Sequence, residues 1–543
     1  MSQNGTERLP SSWARVRIDE VCEILAGYGF PKSLQGKTEG EIPFFKVGDI
    51  SEAWKRKQVY LGRAQHYLSL KEAKEIRAKP LPIDTTVFAK IGAAIALNRR
   101  AILARPSLVD NNVMGLSPNA AAVNPSYLFH FVCTLKLDEL SRATAVPSLR
   151  GSDVAVIGLP LPPLPEQHRI VAEIEKQFTR LDAGVATLER ARANLKRYRA
   201  SVLKAACEGC LVPTEAELAR AEGRDYEPAD RLLAHILKER RAKWEADRLT
   251  KMQAQDKIPK NGKWKEKYQE PSRQGIADLP ELPEGWVWAS PEQLASSEDY
   301  SLAIGPFGSN LKVSDYTDEG VPLVFVRNIR SHTFGGDSTN YISQEKADEL
   351  RPHWVSPGDI LITKMGDPPG DACLYPDGQP TAVITADCIK FRPCGVLSFP
   401  TYFVSTINSQ GVRSQILGIT KGVAQLKVSL ARFKTIGLPL PPLAEQSRIV
   451  AEVERRLSVI DELEATVAAN LKRAERLRQS ILKRAFEGKL VPQDPNDEPA
   501  SMLLEHIRAE RQVEQKATAK AIGRPSQKSK RSQVAETQAE LFR

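Results

Sequence analysis

Cys207 and Cys210 have the spacing of half a zinc site or of a redox pair. A zinc site needs more ligands, and the sequence contains no second half-site. The surrounding segment also recurs later in the chain, with Phe486 and Lys489 at the two cysteine positions. We therefore predict two small, partly buried cysteines near a helix end, and no bound metal.

Two other motifs are similar to parts of enzyme active sites. Gly36-Lys37-Thr38 matches the end of a phosphate-binding loop, but Pro31 occupies the position of the leading glycine. Asp367-Pro368-Pro369 is similar to the catalytic tetrapeptide of adenine methyltransferases, but Gly370 replaces the aromatic residue that would stack on a flipped base. The seven histidines form neither an H-E-x-x-H motif nor a Ser-His-Asp arrangement tied to a nucleophile elbow. The sequence therefore predicts no catalytic residues.

The larger pattern is an internal duplication. Residues 158–175 match residues 437–454 at 15 of 18 positions, with an offset of 279. The same offset relates 201–213 to 480–492, and a third match relates 227–240 to 498–511 at an offset of 271. Such self-similarity indicates two copies of one structural plan.

The repeated segments have the pattern of long helices. After Pro165 and again after Leu443, apolar residues recur at intervals of four and three, close to a coiled-coil seam. A helix from Glu166 to about Glu208 would be roughly 65 Å long, and Gly209 and Gly488 fit helix C-caps. Because each apolar stripe needs a partner, we predict that the two helices pair antiparallel and hold a globule at each end. The constant offset fits either a seam that tolerates no change in length or a ruler between two sites.

The segments between the helices predict α/β globules. Each begins with Leu-Pro-x-x-Trp, at Leu9 and at Leu282, and the two share only short similarities, Val47-Gly48-Asp49-Ile50 with Val326-Arg327-Asn328-Ile329 and Lys90-Ile91-Gly92 with Lys364-Met365-Gly366. The predicted strands are Ile42–Val47, Thr86–Ile91, Pro322–Val326, Asp359–Lys364 and Ala382–Ile384, and the predicted helices are Pro125–Thr134 and Pro400–Ile407. We therefore expect an α+β chain with a pseudo-two-fold repeat of globule and long helix.

This plan divides the chain into six segments. They are a first globule (1–158), a first long helix with a Pro-rich entry (159–213), a second helix and basic linker (214–281), a second globule (282–437), a second long helix (438–492), and a short helix with a polar tail (493–543). The second helices should cover Ala229–Arg248 and Ala500–Gln515. The tail from Lys516 to Arg543 has no apolar period, and we expect it to be disordered.

Composition favours a soluble protein with an anionic partner. Lys and Arg number 77 against 67 Asp and Glu, which gives the 543-residue chain a net charge of +10. The sequence has no apolar run of the length that spans a membrane, and its first residues lack the apolar core of a signal peptide. Seven scattered cysteines do not indicate a disulfide framework. We therefore expect a cytoplasmic protein.

The order of these motifs resembles the specificity subunit of type I restriction–modification systems. The matching pattern is Leu-Pro-x-x-Trp, a variable region, Leu-Pro-Leu-Pro-Pro-Leu-x-Glu-Gln-x-Arg-Ile-Val, a long helix and Glu-Gly-x-Leu-Val-Pro, repeated once between residues 9 and 515. Gly305-Pro306-Phe307-Gly308-Ser309 also looks like the family's pattern, and Gly27-Tyr28-Gly29-Phe30 is a looser version. The resemblance implies two target recognition domains that each read half of a bipartite DNA sequence.

The resemblance also implies partners that carry the catalysis. Two methyltransferase subunits would use S-adenosylmethionine to methylate adenine, and ATP-driven motor and endonuclease subunits, with ATP and Mg, would join them for restriction. We expect this chain to hold no cofactor and to bind double-stranded DNA, with an asymmetric target because the globules differ. Half-site spacing would follow from helix length.

Candidate DNA contacts are basic or amide side chains on expected loops and strand ends, which suit phosphate contact and base readout. They are Tyr28, Lys32, Lys46, Lys90, Asn98, Arg99, Arg100, Lys312, Arg327, Arg330, Lys364, Lys421 and Lys427. Each could instead be an ordinary solvated residue. Candidate partner contacts are Arg169, Arg448, Arg197 and Arg476, which interhelical salt bridges explain equally well.

Two other functions compete with this interpretation. A stand-alone restriction or modification enzyme would need a cofactor loop with a catalytic tetrapeptide, or a metal-binding carboxylate cluster followed by lysine, and we find neither in the sequence. A coiled-coil scaffold without a DNA role predicts either no DNA binding or binding that does not depend on sequence.

Overall fold

The computed structural model describes residues 9–140, 147–255, 261–271, 279–336, 340–395, 398–421 and 426–509. In the first repeat the strands are β1 (Ala14–Arg17), β2 (Cys22–Ala26), β3 (Ile42–Phe45), β4 (Tyr60–Leu61), β5 (His66–Leu68), β6 (Thr86–Ala89), β7 (Arg100–Leu103), β8 (Leu108–Val109), β9 (Val113–Pro118) and β10 (Gly158–Leu161). The helices are α1 (Ile18–Val21), α2 (Val47–Lys55), α3 (Leu70–Glu75), α4 (Pro125–Thr134), α5 (Gly151–Ala155), α6 (Leu164–Cys207), α7 (Glu215–Glu222) and α8 (Ala229–Gln253).

The second repeat follows the same plan. Its strands are β11 (Val287–Ala289), β12 (Leu302–Ile304), β13 (Tyr316–Thr317), β14 (Val321–Val324), β15 (Ile329–Arg330), β16 (Thr333–Phe334), β17 (Tyr341–Ile342), β18 (Trp354–Val355), β19 (Ile360–Thr363), β20 (Ala372–Leu374), β21 (Ala382–Ile384), β22 (Cys388–Phe391) and β23 (Leu438–Leu440). Its helices are α9 (Pro291–Leu294), α10 (Gln344–Glu349), α11 (Pro400–Ile407), α12 (Gln410–Gly418), α13 (Leu430–Phe433) and α14 (Leu443–Phe486), and residues 500–509 form a further helix.

The predicted elements are present among the described residues, and the last six residues of the predicted helix Ala500–Gln515 lie outside them. Helices α4 and α11 and strand β21 have the predicted bounds, and β3, β6, β14 and β19 lie within one to two residues of theirs at each end. Helix α6 begins two residues earlier than predicted, and α8 runs five residues further. The predicted tail, from Lys516 to Arg543, lies outside the described residues. Within the described part of the chain, no helix combines the length and apolarity needed to cross a membrane.

The chain divides into two compact units that cut across the repeats. The first contains residues 1–188 and 469–543, and the second contains residues 189–468. Each unit therefore holds one globule, half of α6 and half of α14.

The first unit builds its globule on two sheets. One has the strand order β2-β9-β6-β7-β4, and the other has the order β5-β3-β8, in which β3 and β8 are parallel. Strand β1 pairs antiparallel with β10, which joins the start of the globule to the segment that enters α6. The core packs α4 against the sheet, together with apolar residues of both long helices.

The second unit has a related topology, in which the two sheets have four and five strands instead of five and three. One sheet has the order β12-β22-β19-β20, and the other has the order β13-β17-β14-β21-β18, in which β14 and β21 are parallel. Strand β11 pairs antiparallel with β23. The core again joins α11, the sheet and both long helices.

The long helices pair antiparallel in each unit, as predicted. In the first unit, the buried residues Ile170 and Ile174 of α6 share a core with Ile481 of α14, and Arg478 Nη2 donates to Asp182 Oδ1 at 2.6 Å. In the second, Val202 of α6 shares a core with Ile449 and Ile460 of α14, and Arg199 bonds Asp461. Position numbers rise along one helix as they fall along the other, so the coiled-coil prediction is confirmed.

Glycines end both long helices at a close contact. Gly209 and Gly488 have φ values of +68° and +71°, a left-handed conformation that favours glycine and terminates a helix. A Cβ at Gly209 would lie 2.5 Å from Pro283, and one at Gly488 would lie 2.4 Å from Pro10. The Gly of each Glu-Gly-x-Leu-Val-Pro motif therefore packs against the Leu-Pro-x-x-Trp motif of the other repeat.

Candidate nucleic-acid interface

A buried hydrogen-bond network, which we call the joint, fixes each globule to its long helix. In the first unit Trp13 Nε1 donates to Glu166 Oε2 at 3.0 Å, and the hydroxyl of Tyr127 donates to the carbonyl of Pro160 at 2.6 Å. Gln167 Oε1 accepts from Asn124 N, and its amide donates to backbone carbonyls. The repeated Leu-Pro-x-x-Trp and Glu-Gln motifs therefore supply the side chains that orient the globule on its helix.

The joint of the second unit uses the equivalent residues. Trp286 Nε1 donates to Glu445 Oε1 at 3.0 Å, and the hydroxyl of Tyr402 donates to the carbonyl of Pro439 at 2.9 Å. Gln446 Oε1 accepts from Phe399 N. Burial raises the pKa of Glu445, as it raises that of Glu166 in the first joint.

Each joint sets the orientation of one sheet edge. In the first globule the parallel strands β3 and β8 end side by side, with Phe45 opposite Val109. We call this end the strand-end edge. The loop after β2 crosses it so closely that a Cβ on Gly27 would lie 1.8 Å from the carbonyl oxygen of Asp110. Tyr28 N donates to Val109 O at 2.8 Å, which fixes the loop there.

The second globule has the same edge. Strands β14 and β21 end side by side with Val324 opposite Ile384, and a Cβ on Gly305 would lie 2.1 Å from the carbonyl oxygen of Thr385. The two glycine loops, residues 27–30 and 305–308, are therefore structural equivalents. The absence of a Cβ is what lets both loops approach the strand ends.

Lysines lie at both edges, and one pair of them occupies corresponding points. Lys46 directly follows β3, where its Nζ donates to Gln35 Oε1 at 2.7 Å. The backbone N–H of Lys90 donates to Asn112 O and that of Lys364 to Asp387 O, both at 2.8 Å, so these lysines match each other. Short similarities in the sequence thus mark equivalent positions.

The second edge gathers more positive charge. Lys364 follows β19, and its Nζ donates to Ala386 O at 2.9 Å. Burial lowers the pKa of Lys364, with the nearby Lys427 also lowering it. Met365 forms a β-bridge with Lys427, which pairs in turn with Lys421, so three predicted lysines converge. Both Lys421 and Lys427 are exposed and could contact phosphates.

The other candidate DNA contacts lie near the strand-end edges but outside the lysine clusters. Arg327 is exposed, with its guanidinium 4.0 Å from the Phe325 ring centroid and bonded to Asn340 Oδ1 at 3.2 Å. Arg330 is exposed and donates to the carbonyl of Ile329. The remaining exposed candidates are Lys32 and Lys312, and Arg99 is half-buried.

Two candidate DNA contacts, Arg100 and Asn98, form hydrogen bonds within the first globule. Arg100 is only 2% exposed, and its guanidinium donates to the carbonyls of Asn98 and Leu135. Asn98 accepts from Leu137 N at 3.0 Å and donates to Asp138 at 3.1 Å. A run of polar residues beside a strand gives no sign that Arg100 faces inward.

The four candidate arginines for partner binding fall into two pairs. Arg169 pairs with Asp497 at 2.5 Å, and Arg448 pairs with Glu215 at 2.7 Å, so salt bridges within each unit account for both. Arg197 donates to Asn194 of its own helix, and Arg476 is exposed, so both remain available to a partner. The arginines that cross between the long helices lie two positions further along, at Arg199 and Arg478.

Cys207 has a protein environment consistent with the structural prediction. It is partly buried, and burial raises the pKa of its thiol to about 11, opposed by hydrogen bonds involving Ser409 and Thr406. Cys210 is exposed rather than partly buried, so the prediction was wrong for this residue, and its thiol donates to the carbonyl of Glu208.

Sequence reasoning missed the aromatic rings of the glycine loops. Phe30 stacks on Phe44 in the first globule, whereas Phe307 is 62% exposed in the second. Each ring has a lysine Nζ about 5 Å from its centroid, Lys46 at 5.2 Å and Lys364 at 5.1 Å. The glycine-loop pattern was the signal that could have identified them.

Two different globules on matching joints, each with a basic strand-end edge, define a duplicated two-site recognition protein. The family model for the type I restriction modification DNA specificity domain matches residues 10–194 and 337–473. The chain therefore belongs to the family of type I restriction–modification specificity subunits, with two recognition domains.

Relatives agree over nearly the whole chain. The EcoBI specificity subunit of Escherichia coli is 23% identical over 94% of both chains. The StySPI specificity subunit of Salmonella potsdam is 22% identical over 93% of this chain and 97% of its own. A solved chain from work on complex assembly and conformational transition of the type I R-M system has a TM-score of 0.58 at 18% identity, covering 89% of this chain and all of that one. That last likeness supports the fold.

Proposed function

We propose that this chain is the non-catalytic subunit that reads a bipartite, asymmetric DNA target for a type I restriction–modification complex. The first globule reads one half-site, and the second reads the other. The observation that carries this proposal is the pairing of matching joints with dissimilar strand-end edges. Matching attachment with different contact surfaces suits a protein that presents two different readers in equivalent ways.

Lysines of the edges supply the part of DNA affinity that does not depend on sequence, through phosphate contacts. We assign this role to Lys46, Lys364 and Lys427, and we assign contact with bases to Tyr28 and Arg327. The antiparallel pair of α6 and α14 sets the distance between the half-sites. The two long helices, each of 44 residues, also offer two equivalent surfaces, including Arg197 and Arg476, to two adenine methyltransferase subunits.

The partners carry the chemistry in this proposal. The methyltransferase subunits bind S-adenosylmethionine, and motor and endonuclease subunits use ATP and Mg. Methyl transfer by the purified chain alone would contradict the proposal in favour of a stand-alone enzyme. DNA binding indifferent to sequence, even with a methyltransferase present, would instead favour a scaffold.

Exchange of one globule tests the proposal most directly. Residues 9–157 would be replaced by the corresponding globule of another family member, and methylation across the host genome would be mapped before and after. One half of the methylated target should change, while the other half and the gap stay the same. A change in both halves would contradict the modular assignment.

Phosphate contact can be tested separately through salt dependence. Lys46→Ala and Lys427→Ala should each reduce the slope of log affinity against log salt by about 1, with the target sequence unchanged. Lys55→Ala is the matched control, because Lys55 lies at the far end of α2 from Lys46. An unchanged slope in both variants would remove these lysines from the interface.

A further inference from the structure

The two glycine loops place their aromatic rings differently. In the first globule the ring of Phe30 lies flat on Phe44, with centroids 3.7 Å apart and planes 13° apart. Phe44 is fully buried. His66 packs edge-on against the ring of Phe30, with ring centroids 5.4 Å apart. Phe30 is therefore committed to the core of its own globule.

Phe307 occupies the equivalent loop of the second globule without such a stack. Its side chain is 62% exposed, although the loop itself is held by the close approach of Gly305 to Thr385. Lys364, whose Nζ is 5.1 Å from the ring centroid, is itself held by a bond to Ala386 O. A large apolar ring thus projects from a fixed loop beside a fixed positive charge.

The ring is a large apolar group on a basic edge. Exposed residues on a phosphate-binding surface are ordinarily polar, because they face ions and water. Apolar side chains that project from DNA-binding surfaces serve in other proteins as wedges that enter between base pairs and unstack them. The lysine beside the ring can neutralise a phosphate next to the opened step.

We propose that Phe307 is a wedge that unstacks one base step in the half-site read by the second globule, while the first globule reads its half-site without one. This inference rests on the proposed function, since it assumes that the strand-end edge faces DNA. It adds a source of specificity to direct contacts, because pyrimidine–purine steps open most easily. The half-site of the second globule should therefore contain such a step.

Fluorescence of 2-aminopurine tests the wedge. The full chain would be purified with the methyltransferase subunits that accompany it, and bound to duplexes of the mapped target carrying 2-aminopurine at successive positions. Globule exchange identifies which half belongs to the second globule. At positions other than the adenine that the methyltransferase flips, fluorescence should rise several-fold at one step of that half, fall to the free-duplex level in Phe307→Ala, and recover in Phe307→Trp. Phe30→Ala is the matched control and should leave the signal unchanged.

Each outcome decides one question. If the wild-type complex binds the mapped target with no rise in fluorescence, or if Phe307→Ala keeps the rise, the wedge is wrong and the proposed function stands. If Phe307→Ala releases the methyltransferase subunits instead, the ring contacts protein and the wedge is again wrong. If the complex does not prefer the mapped target to a scrambled duplex, the proposed function itself fails.

Discussion

In the first unit Trp13 donates to Glu166, and in the second Trp286 donates to Glu445 over the same 3.0 Å. The strand-end edges show differences instead: Lys46 follows β3 where Phe325 follows β14, and Phe30 is stacked whereas Phe307 is exposed. The joints must orient any globule in the same way, so their residues are constrained by buried hydrogen bonds. The edges need only present a surface, so they are free to differ.

The largest effect should come from changing the long helices, which both units share. A four-residue insertion after Leu188 alone rotates one half of α6 by about 40° relative to the other and should misalign its apolar stripe. Methylation of the target in the host should then be lost or move to a longer gap. Unchanged gap length and activity would remove the ruler interpretation.

Matched insertions sharpen this test. Seven residues inserted after both Leu188 and Val467 keep the heptad pattern and leave the ion pairs Asp182–Arg478 and Arg199–Asp461 in register. The helices lengthen by about 10 Å, so the gap should grow by about three base pairs at 3.4 Å each. Loss of all methylation in the double insertion, but not in the single one, would contradict the spacing role.

The second-largest effect should come from the tryptophans of the two joints, and it tests whether the joints contribute equally to stability. Trp13→Ala and Trp286→Ala each remove a buried indole and its bond to a carboxylate, and each should lower the free energy of local unfolding by about 3–5 kcal/mol. Hydrogen exchange of the amides in β1–β10 and β11–β23 measures the two units separately. Trp54→Ala, at a residue 39% exposed, is the control and should cost much less. Losses that differ by several kcal/mol would break the equivalence.

A smaller effect, from substitution of the buried glutamates, should distinguish the two joints. Glu445 Oε2 accepts from Glu215 N at 2.9 Å, whereas Glu166 Oε1 has no hydrogen-bond partner among the described residues. Glu445→Gln should therefore place an amide against a buried N–H donor and cost about 1–3 kcal/mol. Glu166→Gln should be close to neutral, because glutamine can still accept from Trp13. Hydrogen exchange of the two joints would measure both, and equal costs would contradict this distinction.

The pH dependence follows from the same burial. Because the folded pKa of Glu166 is raised above its ordinary value, the folded state binds this proton more tightly than the unfolded state does. Its contribution to stability is thus lost as pH rises from the ordinary carboxyl value through the raised one. Glu166→Gln should remove this dependence, and unfolding followed between pH 4 and 7 would show it.

The parts of this molecule that could be predicted from sequence are those that depend on residues close together in the chain. Helices α4 and α11 and the long helices depend on local period and capping, so their patterns were sufficient. Contacts between globule and helix were not predictable. His130 of α4 is buried and His332 of the β15–β16 turn is half-buried. Desolvation lowers the pKa of each to about 4, and both lie near an arginine of a long helix. No pattern links two residues on such different elements.

The edges escaped prediction for a related reason. Candidate residues were chosen by type and loop position, which cannot distinguish an arginine that faces inward from one that faces solvent. Arg100 starts β7 and turns into the core, whereas Phe307, an apolar residue, projects outward. Orientation depends on sheet register and on the close approach of the glycine loops, which are long-range features.

The smallest expected effect concerns equivalent ion pairs that the two units surround differently. Arg478 bonds Asp182 in the first unit, where Lys57 lies 3.3 Å from the same carboxylate. Arg199 bonds Asp461 in the second, with Glu464 at 3.2 Å from the same guanidinium. The first cluster therefore centres on an aspartate with two cations, and the second on an arginine with two carboxylates.

Removing the central residue should expose this asymmetry. These side chains are 24–65% exposed, so each pair should contribute only about 0.2–1 kcal/mol, and salt should weaken it. Asp182→Ala should leave two cations without their carboxylate, whereas Asp461→Ala leaves Arg199 with Glu464, so the first substitution should cost more. Double-mutant cycles with Arg478→Ala and Arg199→Ala, read by hydrogen exchange at low and high salt, would measure each coupling. A larger coupling loss in Asp461→Ala would show that the shared pair, rather than its surroundings, determines the energy.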